Sequence, residues 1–157
     1  MVVRLASPQE AEKLWIIRNK AIRHGCKDSY GEETLQAWTQ DKMPEGFRNT
    51  IAENPFFVID DPAGEYPVAT GFLDLKNQSV EAIFTLPEFT GQGMARAILD
   101  AIKNEARLRG LKKLVLSSTP NAFEFYKKNG FILLKESIHH SPMANADLRC
   151  MEMSCDL

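Results

Sequence analysis

Apolar residues recur at helical spacing in the first third of the chain and gather into short runs in the middle. Residues 2–5 alternate and predict a short strand. Ser7-Pro8-Gln9-Glu10 then reads as a helix start, with Ser7 as N-cap, Pro8 at N1 and Glu10 at N3. Ala11, Leu14, Trp15, Ala21 and Ile22 follow helical spacing, and Gly25 is expected to stop the helix from the C′ position. A second capping box is expected at Ser29-Tyr30-Gly31-Glu32, opening a helix over 34–41, and a third helix is predicted over 45–53. Residues 56–59 form a compact apolar run that ends at the turn signal Asp60-Asp61-Pro62-Ala63-Gly64. Residues 68–75 and 79–85 predict an antiparallel hairpin through Lys76-Asn77-Gln78, with Pro87 ending its second strand.

A long helix is predicted over 93–109. Ile98, Ile102 and Ala106 form its core stripe, Arg107 and Arg109 sit where the dipole favours cations, and Gly110 closes it. Residues 113–117 predict a buried strand. Asn121 is expected to N-cap the next helix, with Glu124 at N3 and Gly130 at C′. Residues 131–138 and 148–154 predict two final strands, leaving His139-His140 in the loop between them. This order of elements predicts an α+β, or mixed α/β, fold around one central, partly antiparallel sheet.

Composition adds limits rather than chemistry. A chain of 157 residues is expected to form one domain over 1–157. With 44% apolar and 25% charged residues it does not belong to the disordered class. Nineteen basic against 21 acidic residues give a net charge of −2. No block of like charge marks a nucleic-acid arm or a membrane-binding patch, so neither partner is expected. No apolar run approaches the roughly 20 residues that span a bilayer. The chain start lacks the apolar core of a secretory signal. Cys26, Cys150 and Cys155 show no metal-type spacing and are expected as reduced thiols of a cytoplasmic protein, with no metal site.

The sharpest local feature is Thr90-Gly91-Gln92-Gly93-Met94-Ala95-Arg96, placed between a strand and the longest helix. Glycines there let the backbone approach a ligand closely, and the free N–H groups of a helix start favour an anion such as phosphate. A P-loop would need Gly-Lys-Ser/Thr, which is absent, and the dinucleotide fingerprint would need a third glycine where Arg96 stands. A tight turn with no ligand is the competing reading.

The stretch from Glu81 through Leu86-Pro87 to Gly91-Gln92-Gly93-Met94-Ala95, followed by Asn121-Ala122-Phe123-Glu124-Phe125-Tyr126-Lys127-Lys128-Asn129-Gly130-Phe131, resembles the GNAT superfamily of acetyl-CoA-dependent N-acetyltransferases. The two motifs stand in the family's order and separation, and the resemblance covers nearly the whole chain. It implies a mostly antiparallel, partly parallel twisted sheet flanked by helices, with acetyl-CoA as co-substrate and a small-molecule or peptide amine as acceptor. It also implies that backbone N–H groups of Gly91, Gln92, Gly93, Met94, Ala95 and Arg96 hold the pyrophosphate. Ile83, Phe84 and Thr85 would run alongside the pantetheine arm. Tyr126 matches the family tyrosine that protonates the departing thiolate, a core phenol being the alternative. Two departures stand out. Thr90 replaces the usual Arg or Gln at the first loop position. Thr119 stands where many relatives place the Asn that contacts the cofactor; Asn121, two residues later, is the candidate for that contact by resemblance, with its capping role as the alternative.

An amine acceptor must lose a proton before it attacks, because an ammonium has no lone pair. Glu81 is the candidate base. It is expected to share a strand face with Ile83 and Thr85, against the alternative of a solvent-facing strand glutamate; Asp74 is a weaker candidate. No nucleophile elbow is present, so direct attack in a ternary complex is preferred over an acetyl-enzyme. The competing functional class is a non-catalytic acyl-CoA-binding sensor or interaction module of the same fold. A homodimer is left open.

Overall fold

The computed structural model describes all residues, Met1–Leu157. Its elements run β1 (Arg4–Leu5), α1 (Ala11–Gly25), α2 (Glu32–Trp38), α3 (Glu45–Glu53), β2 (Phe56–Asp60), β3 (Pro67–Asp74) and β4 (Ser79–Thr85). They continue with α4 (Met94–Leu108), β5 (Lys113–Ser118), α5 (Phe123–Lys128), β6 (Ile132–Ser141) and β7 (Ala146–Asp156). All seven strands form one sheet in the order β1-β2-β3-β4-β5-β7-β6. Every neighbouring pair is antiparallel except β4 and β5, which run parallel. The mixed sheet flanked by helices agrees with the sequence expectation.

Successive strand residues face opposite sides of a sheet, and Gly71 and Phe72 identify what covers each side. A Cβ on Gly71 would meet Ile98 of α4. Phe72 stacks on Phe56 with ring centres 4.2 Å apart, and Phe56, Phe47 and Trp15 continue edge-to-face towards α1. So α4 packs on one face of the sheet, and α1 with α3 on the other. The α4 stripe of Ile98, Leu99, Ile102 and Ala106 is fully buried.

Several local expectations change. The Ser7–Glu10 box forms, with Ser7 N–H donating to Glu10 Oε2 at 2.8 Å, but it caps a 3₁₀ turn that runs into α1. Gly25 stays helical rather than occupying C′. Its lack of a side chain serves a close approach instead: a Cβ would lie 3.3 Å from Asn121 Nδ2. The Ser29–Glu32 box does not form, because the amides of Ser29 and Tyr30 both donate to the Cys26 carbonyl, and α2 starts at Glu32 with no side-chain cap. Helix α2 ends early, where the Thr39 hydroxyl donates to the Leu35 carbonyl. Asn121 is not an N-cap. Pro120 opens a 3₁₀ turn before α5, which moves the cap to Ala122. His139 and His140 lie inside β6, where His140 faces Asp147 of β7 at 2.9 Å. Gly110 and Gly130 do take the left-handed conformation of helix ends.

One irregularity decides which way the side chains of β4 point. Thr70 pairs with Phe84 and Phe72 with Glu81, so Gly71 alone opposes both Ala82 and Ile83. This is a β-bulge, and Ala82 takes a positive φ of 55° to make it. Residues paired across strands share a face. Glu81 therefore lies with Phe84 on the α1 side, and Ile83 turns to the α4 side, where it lies against Gly71 beside Ile98. The expected common face of Glu81, Ile83 and Thr85 is overturned by the extra residue.

Gly71 is the tightest point of this arrangement. An added methyl would come within 2.7 Å of Ile98 Cγ2 and 2.9 Å of Ile83 Cγ1. Gly71→Ala is expected to destabilise the protein by about 1–3 kcal/mol through overpacking. Thermal melts would register this as a drop of roughly 3–10 °C; an unchanged melting temperature would show that α4 and the bulge can shift to make room.

Candidate functional site

Strands β4 and β5 pair through a single register pair, Ser79 with Val115, and then part. Beyond Ser79 the β5-facing edge of β4 has no strand partner, so backbone groups there are left without the bonds that a sheet interior supplies. A cleft of about 710 Å³ opens between the strands. Its walls come from β4 residues 81–85, from Ser117 and Ser118 at the end of β5 with Thr119 and Asn121 after it, from Tyr126 of α5, and from Arg18, Ile22 and Cys26 of the α1 region.

The glycine loop closes one end. After β4, Pro87–Phe89 forms a 3₁₀ turn, and Gly91 and Gly93 take φ of 78° and 83°. Gly93 is the N-cap of α4. The N–H groups of residues 91–96 find no acceptor within the chain. A side chain at either glycine would be strained by the φ angle although space around both is open. Oriented amides at the start of a fifteen-residue helix suit an anion without the help of basic side chains. The side chain of Met94 is buried in the core, which leaves only its N–H for a ligand. Arg96 is exposed and pairs with no acidic group of the chain.

Glu81 and Tyr126 face the same cleft. Ser79 Oγ donates to Glu81 Oε1 at 2.9 Å. Burial pushes the Glu81 carboxyl above its ordinary value, and the negative charges of Asp74 and Glu152 push the same way. Tyr126 is almost fully buried, packed edge-to-face against Phe125 and Phe131. Burial, and after it the charge of Glu81, raise its phenol well above the ordinary range. Both groups are thus held towards their protonated forms. Burial likewise pushes the Cys26 thiol up, and Cys26 Sγ donates to Asn121 Oδ1 at 3.3 Å.

Three participants escaped sequence reasoning. Ser79 holds Glu81 from two residues away on the same strand face. Glu152 of β7 accepts from Ser117 and Ser137 and adds its field to Glu81. Arg18 lines the cleft. Its one sequence signal was a basic residue three positions after Trp15, inside a helix face that is otherwise apolar. No group of three or more His, Cys, Asp or Glu is placed to hold a metal ion, and no helix is long and apolar enough to cross a membrane.

The family profile of the acetyltransferase (GNAT) domain matches residues 26–157. No curated protein matches the chain in sequence. Among solved structures it is similar to a GCN5-related N-acetyltransferase from Rhodopseudomonas palustris, with a TM-score of 0.89 at 20% identity, covering 99% of this chain and 95% of the other. It is also similar to the PaiA N-acetyltransferase from Thermoplasma acidophilum in complex with coenzyme A, with a TM-score of 0.76, 16% identity and coverage of 99% and 98%. The ribosomal-protein-alanine N-acetyltransferase from Brucella melitensis matches with a TM-score of 0.72 at 18% identity over the full length of both chains. At these identities the likeness is one of fold.

The link between the two titrating groups can be measured without any ligand. Subtracting the alkaline phenolate titration of Tyr126→Phe from that of the wild type is expected to place Tyr126 ionisation well above pH 10, the ordinary phenol value. Glu81→Gln removes a negative charge that opposes phenolate, so Tyr126 is expected to ionise at a lower pH in that variant. An unmoved titration would mean that the two groups do not sense each other.

Proposed function

The chain belongs to the acetyltransferase (GNAT) family and is an acyltransferase, and we propose that it moves the acetyl group of acetyl-CoA to the nitrogen of an amine held between β4 and β5. The observation that carries this reading is the convergence of three features on one cleft: a loop of unpaired amides, an unpaired strand edge, and a carboxyl and a phenol both raised by burial. The residues fit the co-substrate. Amides of residues 91–96 suit its pyrophosphate, and Arg96 adds a cation beside them. The free edge at Ile83, Phe84 and Thr85 suits the amides of the pantetheine arm, which can pair as another strand would. Asn121 Nδ2, free of any acceptor in the chain, offers a further donor on the opposite wall. Coenzyme A is present in the Thermoplasma neighbour, which favours the same assignment here.

Acetyl-CoA supplies an activated acyl thioester; the chain's residues supply orientation and proton transfer. Glu81 is the base. A carboxylate whose pKa is raised holds a proton more readily, so it accepts the one the attacking nitrogen must lose. Tyr126 is the acid. Its phenol stays protonated through neutral pH and gives its proton to the sulfur as the thioester bond breaks. Cys26 is held towards the thiol and bonded to Asn121, which disfavours an acetyl-enzyme and favours direct attack by the amine. We further read residues 1–157 as one functional domain. All three cysteines are free and buried, which fits a reducing compartment and a cytoplasmic location.

Tyr126→Phe is expected to lower kcat by about 10²-fold or more while leaving the KM for acetyl-CoA within a few-fold. Thiol release from acetyl-CoA with a broad amine panel measures both. A loss confined to acetyl-CoA binding would make Tyr126 a packing residue. Bound coenzyme A with no turnover on any amine would favour a sensor instead. Activity should rise with pH through an acid limb whose midpoint lies above the ordinary glutamate value of 4.5. Glu81→Gln should remove that limb along with most of the rate; a variant that keeps the limb would identify another base.

A further inference from the structure

Arg18 is a cation in the cleft wall with no counter-ion. Arg4, Arg23, Arg48, Arg109 and Arg149 each pair with a carboxylate, whereas Arg18 pairs with none. Its guanidinium carbon lies 4.2 Å from the centre of the Trp15 ring and 5.9 Å from that of Trp38. Nη1 donates to Asn19 Oδ1 at 2.7 Å and to the Trp38 carbonyl at 3.0 Å, which fixes the plane of the group. Nη2 reaches only the Met143 thioether, a weak acceptor, at 3.6 Å, and Nε–H has no acceptor at all. Burial pushes the group down to about 10, so it remains cationic at neutral pH.

Ring stacking uses the face of a guanidinium and leaves its in-plane edge available. The edge left free here, formed by Nε–H and Nη2–H, is the pair of parallel donors that two carboxylate oxygens match. Leaving such donors half-buried and unmatched is unfavourable, so the site is better satisfied with an anion present. Glu81 in the same cleft offers the opposite charge. Ala21, Ile22 and Trp38 supply apolar lining around them. Through Met143, the turn between β6 and β7 lies over the guanidinium, which favours a small ligand over a folded protein.

We propose that Arg18, framed by Trp15 and Trp38, binds the carboxylate of the acceptor, so that the substrate is a small amine of amino-acid type bearing its own carboxylate. This inference rests on the amine-acetylation reading above. It places the ammonium end towards Glu81 and the carboxylate end at Arg18.

The test uses matched acceptors: leucine with isoamylamine, phenylalanine with phenethylamine and lysine with cadaverine, each pair differing by the α-carboxylate. With acetyl-CoA, thiol release is expected to show kcat/KM at least about tenfold higher for the carboxylate-bearing member of one or more pairs. Arg18→Met should erase that preference with little change in the KM for acetyl-CoA, and Arg18→Lys should keep part of it. Trp15 and Trp38, the chain's two tryptophans, give a readout that needs no turnover: amino acids should change wild-type fluorescence and leave that of Arg18→Met unchanged. If Arg18→Met does not fold, the wild-type preference and its fluorescence response decide. Equal or better turnover of the decarboxylated amines would overturn the inference and leave acetyl transfer standing. No turnover of any amine would count against the acetylation reading, and a silent fluorescence titration would then reject the carboxylate site as well.

Discussion

The parting of β4 from β5 after one register pair is the constraint on which the rest of the molecule depends. A sheet interior normally pairs every backbone group, and a break there leaves donors and acceptors that water or a ligand must satisfy. The break is tolerated because each strand is secured on its far side. β4 is zipped to β3 along almost its whole length, and β5 to β7 over six register pairs. Both halves of the sheet are therefore rigid up to the lip of the cleft. Pro87 and its 3₁₀ turn then carry the chain away from the ladder and into α4, so the gap cannot close by extending the pairing. An unpaired edge inside a sheet is an aggregation hazard when exposed; here α1, α5 and the glycine loop surround it.

The bulge at Ala82–Ile83 decides which side chains face this gap. Without it, strict alternation would place Glu81 and Ile83 together, and one of them would face the wrong helix. The extra residue lets Glu81 and Phe84 both face α1 while Ile83 packs towards α4. The positive φ of Ala82 costs about 1–2 kcal/mol for a residue with a Cβ, and close packing around Gly71 holds it in place. A glycine on β3 and a strained alanine on β4 are thus two halves of one device.

This also explains where the sequence was legible and where it was not. The long periodic elements were clear because burial alone specifies them: α3 falls on its predicted residues, and α4 on all but the outermost of its own. Gly93, Gly110 and Gly130 were legible as helix boundaries because a positive φ is nearly a glycine property. The failures share a cause, since each depended on a partner distant in sequence. Gly25 looked like a stop, yet it answers to Asn121. Ser29 looked like a cap, yet the Cys26 carbonyl takes its amide. Asn121 looked like a cap too, until Pro120 moved the helix start. The bulge gave no signal, because Glu81-Ala82-Ile83-Phe84 reads as ordinary strand. The glycine loop and Tyr126 were visible as motifs. That a half-buried arginine, a glutamate and a phenol share one cleft is a fact of tertiary structure.

Charge placement in that cleft has a consequence for how an acid and a base can work together. Glu81 and Tyr126 are each raised by burial, and the phenol is raised further by the carboxylate charge. Coupling of this kind is reciprocal: the state of one group sets the affinity of the other for its proton. While Glu81 is ionised, phenolate is opposed and Tyr126 keeps its proton. In the mechanism proposed above, Glu81 loses its charge when it takes a proton from the amine, and the barrier to phenolate falls at the moment a proton is needed at sulfur. On that proposal the order of proton movements follows from electrostatics alone, with no moving part.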